Sequence, residues 1–278
     1  MADRFSDARR REVGDQLRKR RVAADLTLAQ LSDRTGFSIT KISRMESGLA
    51  GYSEVGITVH LAHCGQSSDD IAEVLHLGRE TEEGYLVRRT PLSTLVLHEN
   101  TARSFATAAP FVVPGLLQTE DYTRAIMHAM DDLDESEVAI RVQVRRDRQN
   151  LLYRWNAPKF TFYLCEGALR FKLGSNRMMN EQLLHLGFVA ERPNVSIRVL
   201  PSSAGLGNLC GGHMTLMGFA AHGSVLFAET RVAGLFVENR EDIASTRTFL
   251  GQLADEALDE RQSREFLARV ANDYDRPE

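Results

Sequence analysis

Residues 36–48, GFSITKISRMESG, hold side chains whose types and spacing suit them to reading the edge of a base pair. Started at Ser38 as a helix, the stretch places Phe37, Ile42 and Met45 toward a core. Ser38, Ile39, Thr40, Lys41, Ser43 and Arg44 are then left on the outward face. In the major groove a lysine or arginine pairs with guanine, a hydroxyl meets either hydrogen-bonding pattern, and an aliphatic group meets a thymine methyl. This face offers all three chemistries in the N-terminal turns, the part of a recognition helix that meets base edges. The bland alternative is a third helix of a small core with no part in DNA binding.

The neighbouring elements decide whether such a face can be held in place. Thr27 with Gln30 three residues later reads as a capping box, and Leu26 with Leu31 as the hydrophobic staple around it. Gly36 is a left-handed stop for that helix, and after Phe37 alone Ser38 starts the next, with Phe37 and Ile42 as a second staple. Ser32, four residues before Gly36, is the small residue that lets two helices cross at a short turn. A longer helix over about 9–24 comes first and further helices follow at 54–64 and 68–77. RKRR at 18–21 sits in the last turn of the first helix, where the helix dipole favours cations. That run is either a solvated face or a set of phosphate contacts. Arg18, Lys19 and Arg21 are the candidates, with Thr27 and the following N-terminal amides offering further donors to phosphate.

The totals agree with a local basic field inside an acidic whole. The chain of 278 residues has a formal net charge of −4, yet residues 1–50 contain 11 Lys or Arg against 7 Asp or Glu. Its length calls for two domains, divided here as 1–80 and 81–278. No signal-like or membrane-length apolar run is present, which points to a cytoplasmic protein and away from a membrane partner. Cys64, Cys165 and Cys210 are an odd set without CxxC spacing, so reduced thiols are expected and neither disulfides nor a structural zinc.

Beyond residue 80 the pattern is mixed. FTFYLC (160–165), VSIRVL (195–200), HMTLMGF (213–219) and SVLFAE (224–229) read as strands, and 119–130, 176–191, 241–257 and 263–274 as helices. VAIRVQVRRDRQNLLY alternates like a strand at first, but its length and charge favour a helix. RRTPLSTLVLHEN is the boundary segment. Within PGLLQTEDY, Pro114 and Gly115 bend the chain, Leu116 and Leu117 bury, and Thr119 caps a helix with Glu120 and Asp121 in its first turn. That reading is wholly structural. The alternative is a ligand or partner site using Gln118 and Tyr122, with Glu166 at the end of a strand as a further candidate.

Other chemistry is weaker. His60, His63 and Cys64 share a helix face but lack a fourth ligand, so no metal or other cofactor is expected. GLGNLCGGH (205–213) lacks the GK[ST] of a phosphate loop and reads as a long hairpin loop. Glu166 and Glu229 could in principle pair in a hydrolase, yet nothing in the sequence places them together and no GxSxG elbow exists. The chain is therefore read as a non-enzyme.

LRKRRVAADLTLAQLSDRTGFSITKISRMESG resembles the helix-turn-helix domains of the Xre/Cro/repressor group of bacterial transcription regulators, over about residues 9–77. The resemblance implies a lambda-repressor-like, all-α domain of five helices, with Ile39, Thr40, Lys41 and Arg44 facing bases and the GLAGY loop on phosphate through Tyr52. Leu28 and Ser32 stand where many members have Gln and Ala, and the loss of that Gln removes a common backbone contact. FVVPGLLQTEDYTRAIM, RRDRQNLL, EGALR, NEQLLHL and NVSIRVLP resemble the C-terminal domain of the actinobacterial WhiJ-like, antitoxin-like regulators, over most of 90–270. This second resemblance implies a larger α+β domain for sensing, dimerisation or partner binding, and a small partner protein encoded nearby. The expected function is a sequence-specific regulator, a repressor, binding double-stranded DNA as a homodimer under a small-molecule effector or that partner. The competing readings are an antitoxin-like interaction module and, further off, a hydrolase.

Overall fold

A computed structural model describes residues 7–49, 53–79, 84–88, 93–130, 133–205, 212–229 and 233–275. The chain forms two compact units, one of residues 1–98 and 235–240, the other of 99–234 and 241–278.

The first unit opens with five helices, α1 (Asp7–Ala23), α2 (Leu28–Thr35), α3 (Ile39–Glu46), α4 (Glu54–His63) and α5 (Ser68–Arg79). Their starts follow local chemistry. The Thr27 hydroxyl accepts the Gln30 amide at 3.2 Å while the Gln30 side chain accepts the Thr27 amide at 2.8 Å, which completes the capping box. Gly36 closes α2 in the left-handed region at φ 73°, and the Ser38 hydroxyl accepts the Lys41 amide to start α3. Leu26, Leu31, Ile42 and Cys64 form one apolar cluster with Phe37 and Leu28 packed on it. Val13, Leu17, Met45, Ile57, Leu61 and Val74 form the other. Helix α1 crosses α3 at Gly14, where a Cβ would stand 2.6 Å from the Met45 carbonyl oxygen, so any other residue would push the two helices apart. The unit also holds β1 (Gly84–Arg88) and most of α6 (Ser93–Thr101), which covers part of the segment read as a boundary. Later chain returns to it: Glu238 pairs with Arg11 at 3.6 Å, and Phe236 packs against His98 with ring centroids 5.1 Å apart.

The second unit is a mixed sheet with helices. Strand β2 (Ser104–Ala109) is parallel to β3 (Lys159–Cys165), which is parallel to β4 (Val195–Leu200). On its other side β2 is antiparallel to β5 (Met214–Gly218), and β5 to β6 (Val225–Glu229). The two parallel connections are helical, as parallel pairing requires. The first runs through a 3-10 turn (Gly115–Leu117), α7 (Glu120–Met130) and α8 (Glu135–Gln149), the second through α9 (Glu166–Arg170) and α10 (Asn176–Val189). The chain then passes through β7 (Ala233–Val237), most of which belongs to the first unit, before α11 (Arg240–Glu256) and α12 (Glu260–Tyr274) complete the second. The four strand segments read from sequence all lie in the sheet, and the ambiguous 138–153 stretch is mostly helix α8.

Strand β4 ends the sheet, and its outer edge is bonded at Val199. The Val199 amide donates to the Ser263 hydroxyl at 2.9 Å, the Val199 carbonyl accepts from Leu258, and Arg198 donates to the carbonyls of Ala254 and Ala257. Bonds at that point interrupt the stretch of edge open to pairing with another chain. The sheet's helix-side core gathers Tyr163, Leu200, Leu216, Ile243, Leu250 and Leu253. Most of the glycine-rich stretch 205–213 lies outside the described residues.

Candidate nucleic-acid interface

Helix α3 is anchored from beneath and free above. Its buried residues are Ile42, Met45 and Glu46, whereas Ser38, Ile39, Thr40, Lys41, Ser43 and Arg44 are all exposed. The structure therefore leaves all six proposed base-reading residues exposed to solvent. Their side chains are lightly held: the Lys41 ammonium rests 3.5 Å from the centroid of the Phe37 ring, and Arg44 donates to the Leu49 carbonyl at 3.5 Å. A large cognate acceptor can displace contacts of that kind at little cost.

The anchor is a buried polar network. Arg21 grips Glu46 with both forks, Nε to Oε1 at 2.7 Å and Nη2 to Oε2 at 2.8 Å, and Nη1 donates to the Leu26 carbonyl at 2.6 Å. The His60 imidazole, fully buried, sits 3.1 Å from Glu46 Oε1, with the Cys64 thiol 3.9 Å from its other nitrogen. One carboxylate at the end of α3 thus joins α1 and α4. Burial pushes the Glu46 carboxyl upward, but the hydrogen bonds from Arg21 and His60 and the arginine charge outweigh it, and the net shift is below the usual range. The hydrogen bond to Glu46 raises Arg21. Burial raises the Cys64 thiol, so it stays protonated and inert.

This network corrects one expectation: Arg21 does not face phosphate, because all three arms of its guanidinium are turned inward onto Glu46 and Leu26. Sequence spacing could not reveal it, since Glu46 lies 25 residues away. Arg18 and Lys19 are exposed on the solvent face of α1, with Lys19 paired to Asp15 at 2.7 Å. Thr27 is exposed at the start of α2. Tyr52 lies outside the described residues. Ser32 keeps the helix crossing as expected and adds a pin, its hydroxyl donating to the Phe37 carbonyl at 2.6 Å. His60 and Cys64 belong to the anchor, and His63 is exposed on another side of α4. Among the described residues no group of three His, Cys, Asp or Glu is placed to hold a metal.

The second unit's candidates are internal. Gln118, buried, donates from Nε2 to the Val113 carbonyl at 2.6 Å and accepts from the Thr123 hydroxyl and from Arg145. The fully buried Tyr122 hydroxyl accepts the Val113 amide. Two glutamines from other helices clamp the same block: Gln149 donates to the Gly115 and Gln118 carbonyls, and Gln182 both donates to the Leu117 carbonyl and accepts the Thr119 amide. Glu166 accepts from Arg170 and from the Ser202 amide, and that amide foremost holds its carboxyl below the usual range. The structural reading of PGLLQTEDY is the one these bonds describe.

No helix among the described residues is long and apolar enough to cross a membrane. A helix-turn-helix domain model matches residues 12–74, the part of the chain that holds α2, the turn and α3. A solved structure of TrmBL2, described as an archaeal chromatin protein with a novel mode of DNA binding, aligns with 84% of this chain and 88% of its own at 12% identity. Its TM-score is 0.32, and at that level the likeness bears on neither fold nor function. No curated protein sequence matches. The helix-turn-helix domain and its exposed polar face make the chain a DNA-binding regulator. A model described as a domain of unknown function, DUF5753, matches residues 92–269, well over half of the chain, which therefore belongs to the DUF5753 family.

Proposed function

We propose that this protein is a sequence-specific transcriptional repressor of the Xre/Cro type, in its WhiJ-like branch, acting in the cytoplasm as a homodimer without catalytic activity. The observation that carries the reading is the exposed face of α3, six side chains with base-reading chemistry over a helix locked by a buried ion pair. Ile39, Thr40, Lys41 and Arg44 meet base edges, with Ser38 and Ser43 beside them, while Arg18 and Thr27 meet phosphate. One small domain makes few base contacts, so useful selectivity calls for two copies on half-sites about 34 Å apart. The second unit then supports the dimer and binds a small effector or a small partner protein.

The test is fluorescence anisotropy of the purified protein on DNA from upstream of its own gene and on scrambled DNA, at two salt concentrations. Arg44→Ala is expected to cost about 1–3 kcal/mol on the cognate site and to relax one base position. Arg18→Ala should weaken both DNAs alike and lower the salt slope by about 0.9. Equal losses on both DNAs from Arg44→Ala would overturn the base-reading assignment. Sedimentation at micromolar concentration checks the dimer, and a monomer on one half-site would sink it.

A further inference from the structure

One end of the second unit's sheet gathers positive charge that its own carboxylates do not neutralise. Strands β2, β3 and β4 begin there and β5 ends there. The Arg103 amide donates to the Gly218 carbonyl at 2.7 Å, the Lys159 amide to the Arg103 carbonyl at 3.1 Å, and the Phe160 amide to the Asn194 carbonyl at 2.8 Å. The four stretches that meet at this end, 100–108, 150–160, 192–197 and 216–223, contain no Asp or Glu. They carry Arg103, Arg154, Lys159 and Arg192. Arg154 donates to the Asn100 side-chain oxygen at 2.8 Å and Arg192 to the Leu152 carbonyl at 3.1 Å, both neutral acceptors. No carboxylate among the described residues pairs with any of the four cations. Elsewhere in the unit arginines stand beside carboxylates, Arg124 by Glu120, Arg177 by Glu181 and Arg261 by Glu265. Glu191, next to Arg192 in the chain, is drawn instead to Arg264 at 3.8 Å. A chain of net charge −4 thus keeps a local positive field at one end of a sheet.

Two aromatic rings stand among these cations. Tyr153 and Trp155 are both exposed, Trp155 at 97%, and the Arg192 guanidinium lies over the Tyr153 ring, 4.5 Å from its centroid. The turn that carries them is held in place. The Leu152 carbonyl accepts from Arg192 and, at 3.3 Å, from the Asn194 side chain, which also donates to the Pro158 carbonyl at 3.3 Å. The Ala157 amide closes the turn on the Arg154 carbonyl at 3.1 Å. A large apolar ring left in water forgoes the gain of burial. Here the fold presents one on a pinned turn, so little ordering remains to be done when something covers it. Cations interleaved with free rings suit a phosphate chain and the sugars and bases attached to it. The first unit is a DNA-binding domain, so the second, on the same chain, meets phosphate at a high effective concentration.

We propose that this end of the sheet is a second DNA-contact surface, binding the phosphate backbone of duplex DNA through Arg103, Arg154, Lys159 and Arg192, with Trp155 against the adjoining sugars. The proposal goes beyond the base reading assigned to α3. Phosphates carry no sequence information, so this surface adds affinity and salt dependence without adding base preference.

Trp155 is the only tryptophan in the chain, and its emission therefore reports on this end alone. The experiment titrates the full-length protein with duplex DNA from upstream of its own gene, scrambled duplex, single-stranded DNA and polyglutamate, reading Trp155 emission and anisotropy at several salt concentrations. Both duplexes should change the emission saturably. Arg103→Gln combined with Lys159→Gln should weaken both duplexes alike and lower the salt slope by about 1.8, and Arg154→Gln alone by about 0.9. Arg103 and Lys159 join the sheet through backbone atoms, so their double variant should keep the parent's urea midpoint. Emission unmoved at saturating duplex, or a salt slope unchanged in both variants, would overturn the proposal. A response to single-stranded DNA without one to duplex would replace it with a site for unpaired bases. An equal response to polyglutamate would replace it with a site for an acidic partner protein. Emission and slope are read on scrambled duplex as well, so failure of the α3 assignment, seen as Arg44→Ala without loss of selectivity, would leave this test standing.

Discussion

Helix α3 and the block from Pro114 to Tyr122 look alike in sequence, each a short turn feeding a capped helix with polar residues at the junction, yet they end in opposite states. On α3 the polar groups face water with loose internal contacts, and only Glu46 turns inward. In the second block Gln118, Tyr122 and Thr123 are buried and bonded within the unit. Polar residues at a loop-to-helix junction are therefore no signal of a site by themselves. What separates the two is whether the fold supplies partners for the polar atoms.

The sharpest way to test that difference is on the one inward polar residue of α3. Glu46→Ala leaves Arg21 buried without its carboxylate and should cost about 3–5 kcal/mol, read as faster hydrogen exchange of the α1–α5 amides. The double change Arg21→Met with Glu46→Leu removes both charges and should recover most of that loss. Arg44→Ala, on the outward face of the same helix, should leave exchange unchanged while DNA affinity falls. Because Glu46 titrates below its ordinary range in the fold, its contribution is full above the unfolded-state pKa and disappears as pH falls through the lower folded value.

The second unit should show acid sensitivity in the same direction, but beginning at a higher pH. The His213 imidazole falls from 6.5 to about 4 on folding, so below pH 6.5 the unfolded chain takes up the proton first. Stability should decline as pH drops from 6.5 to 4, by about 3 kcal/mol in total. Replacing His213 by Gln should flatten that part of the profile in urea titrations. An unchanged slope would mean that burial, with the arginine charges, lowers His213 less than the structure implies.

These contrasts also explain what could be read from sequence. Caps, staples and the Gly36 stop are interactions of residues within five positions, and Thr27, Gln30, Ser38 and Ile42 all stand where that spacing puts them. The six outward residues of α3 followed from helix period once Ile42 and Met45 were assigned to the core. Arg21 was misread because its partner lies on another helix, and Arg145 drew no attention because its acceptor, Gln118, stands 27 residues earlier in the chain. Strand β2, SFATAA, escaped notice for a different reason. Ala and Ser carry little strand preference. The strand is fixed by pairing on both sides and by Phe105 stacking on Phe160 at 4.7 Å.

Tyr122→Phe probes the knot more gently than a truncation. The ring stays in place and only the hydroxyl that accepts the Val113 amide is lost, which leaves one buried donor unpaired. The expected cost is about 1–3 kcal/mol in urea unfolding, with DNA affinity of the folded protein unchanged. A fall in affinity without a fall in stability would mean that Tyr122 meets a partner after all, and would return the block to the class of sites.

The smallest effect is the one that joins fold to reading. Ser38→Ala removes the hydroxyl that accepts the Lys41 amide and should cost about 1 kcal/mol of stability, as N-cap losses do. Ser38→Gly keeps the backbone freedom of a cap and should cost only a few tenths. If Ser38 also touches DNA, the two variants lose the same contact and should lose equal affinity despite unequal stability. If the hydroxyl serves only the cap, affinity should track stability, with Ser38→Gly close to the parent. Anisotropy and urea titrations on the same pair of variants decide whether the first residue of the reading face is part of its support or part of its text.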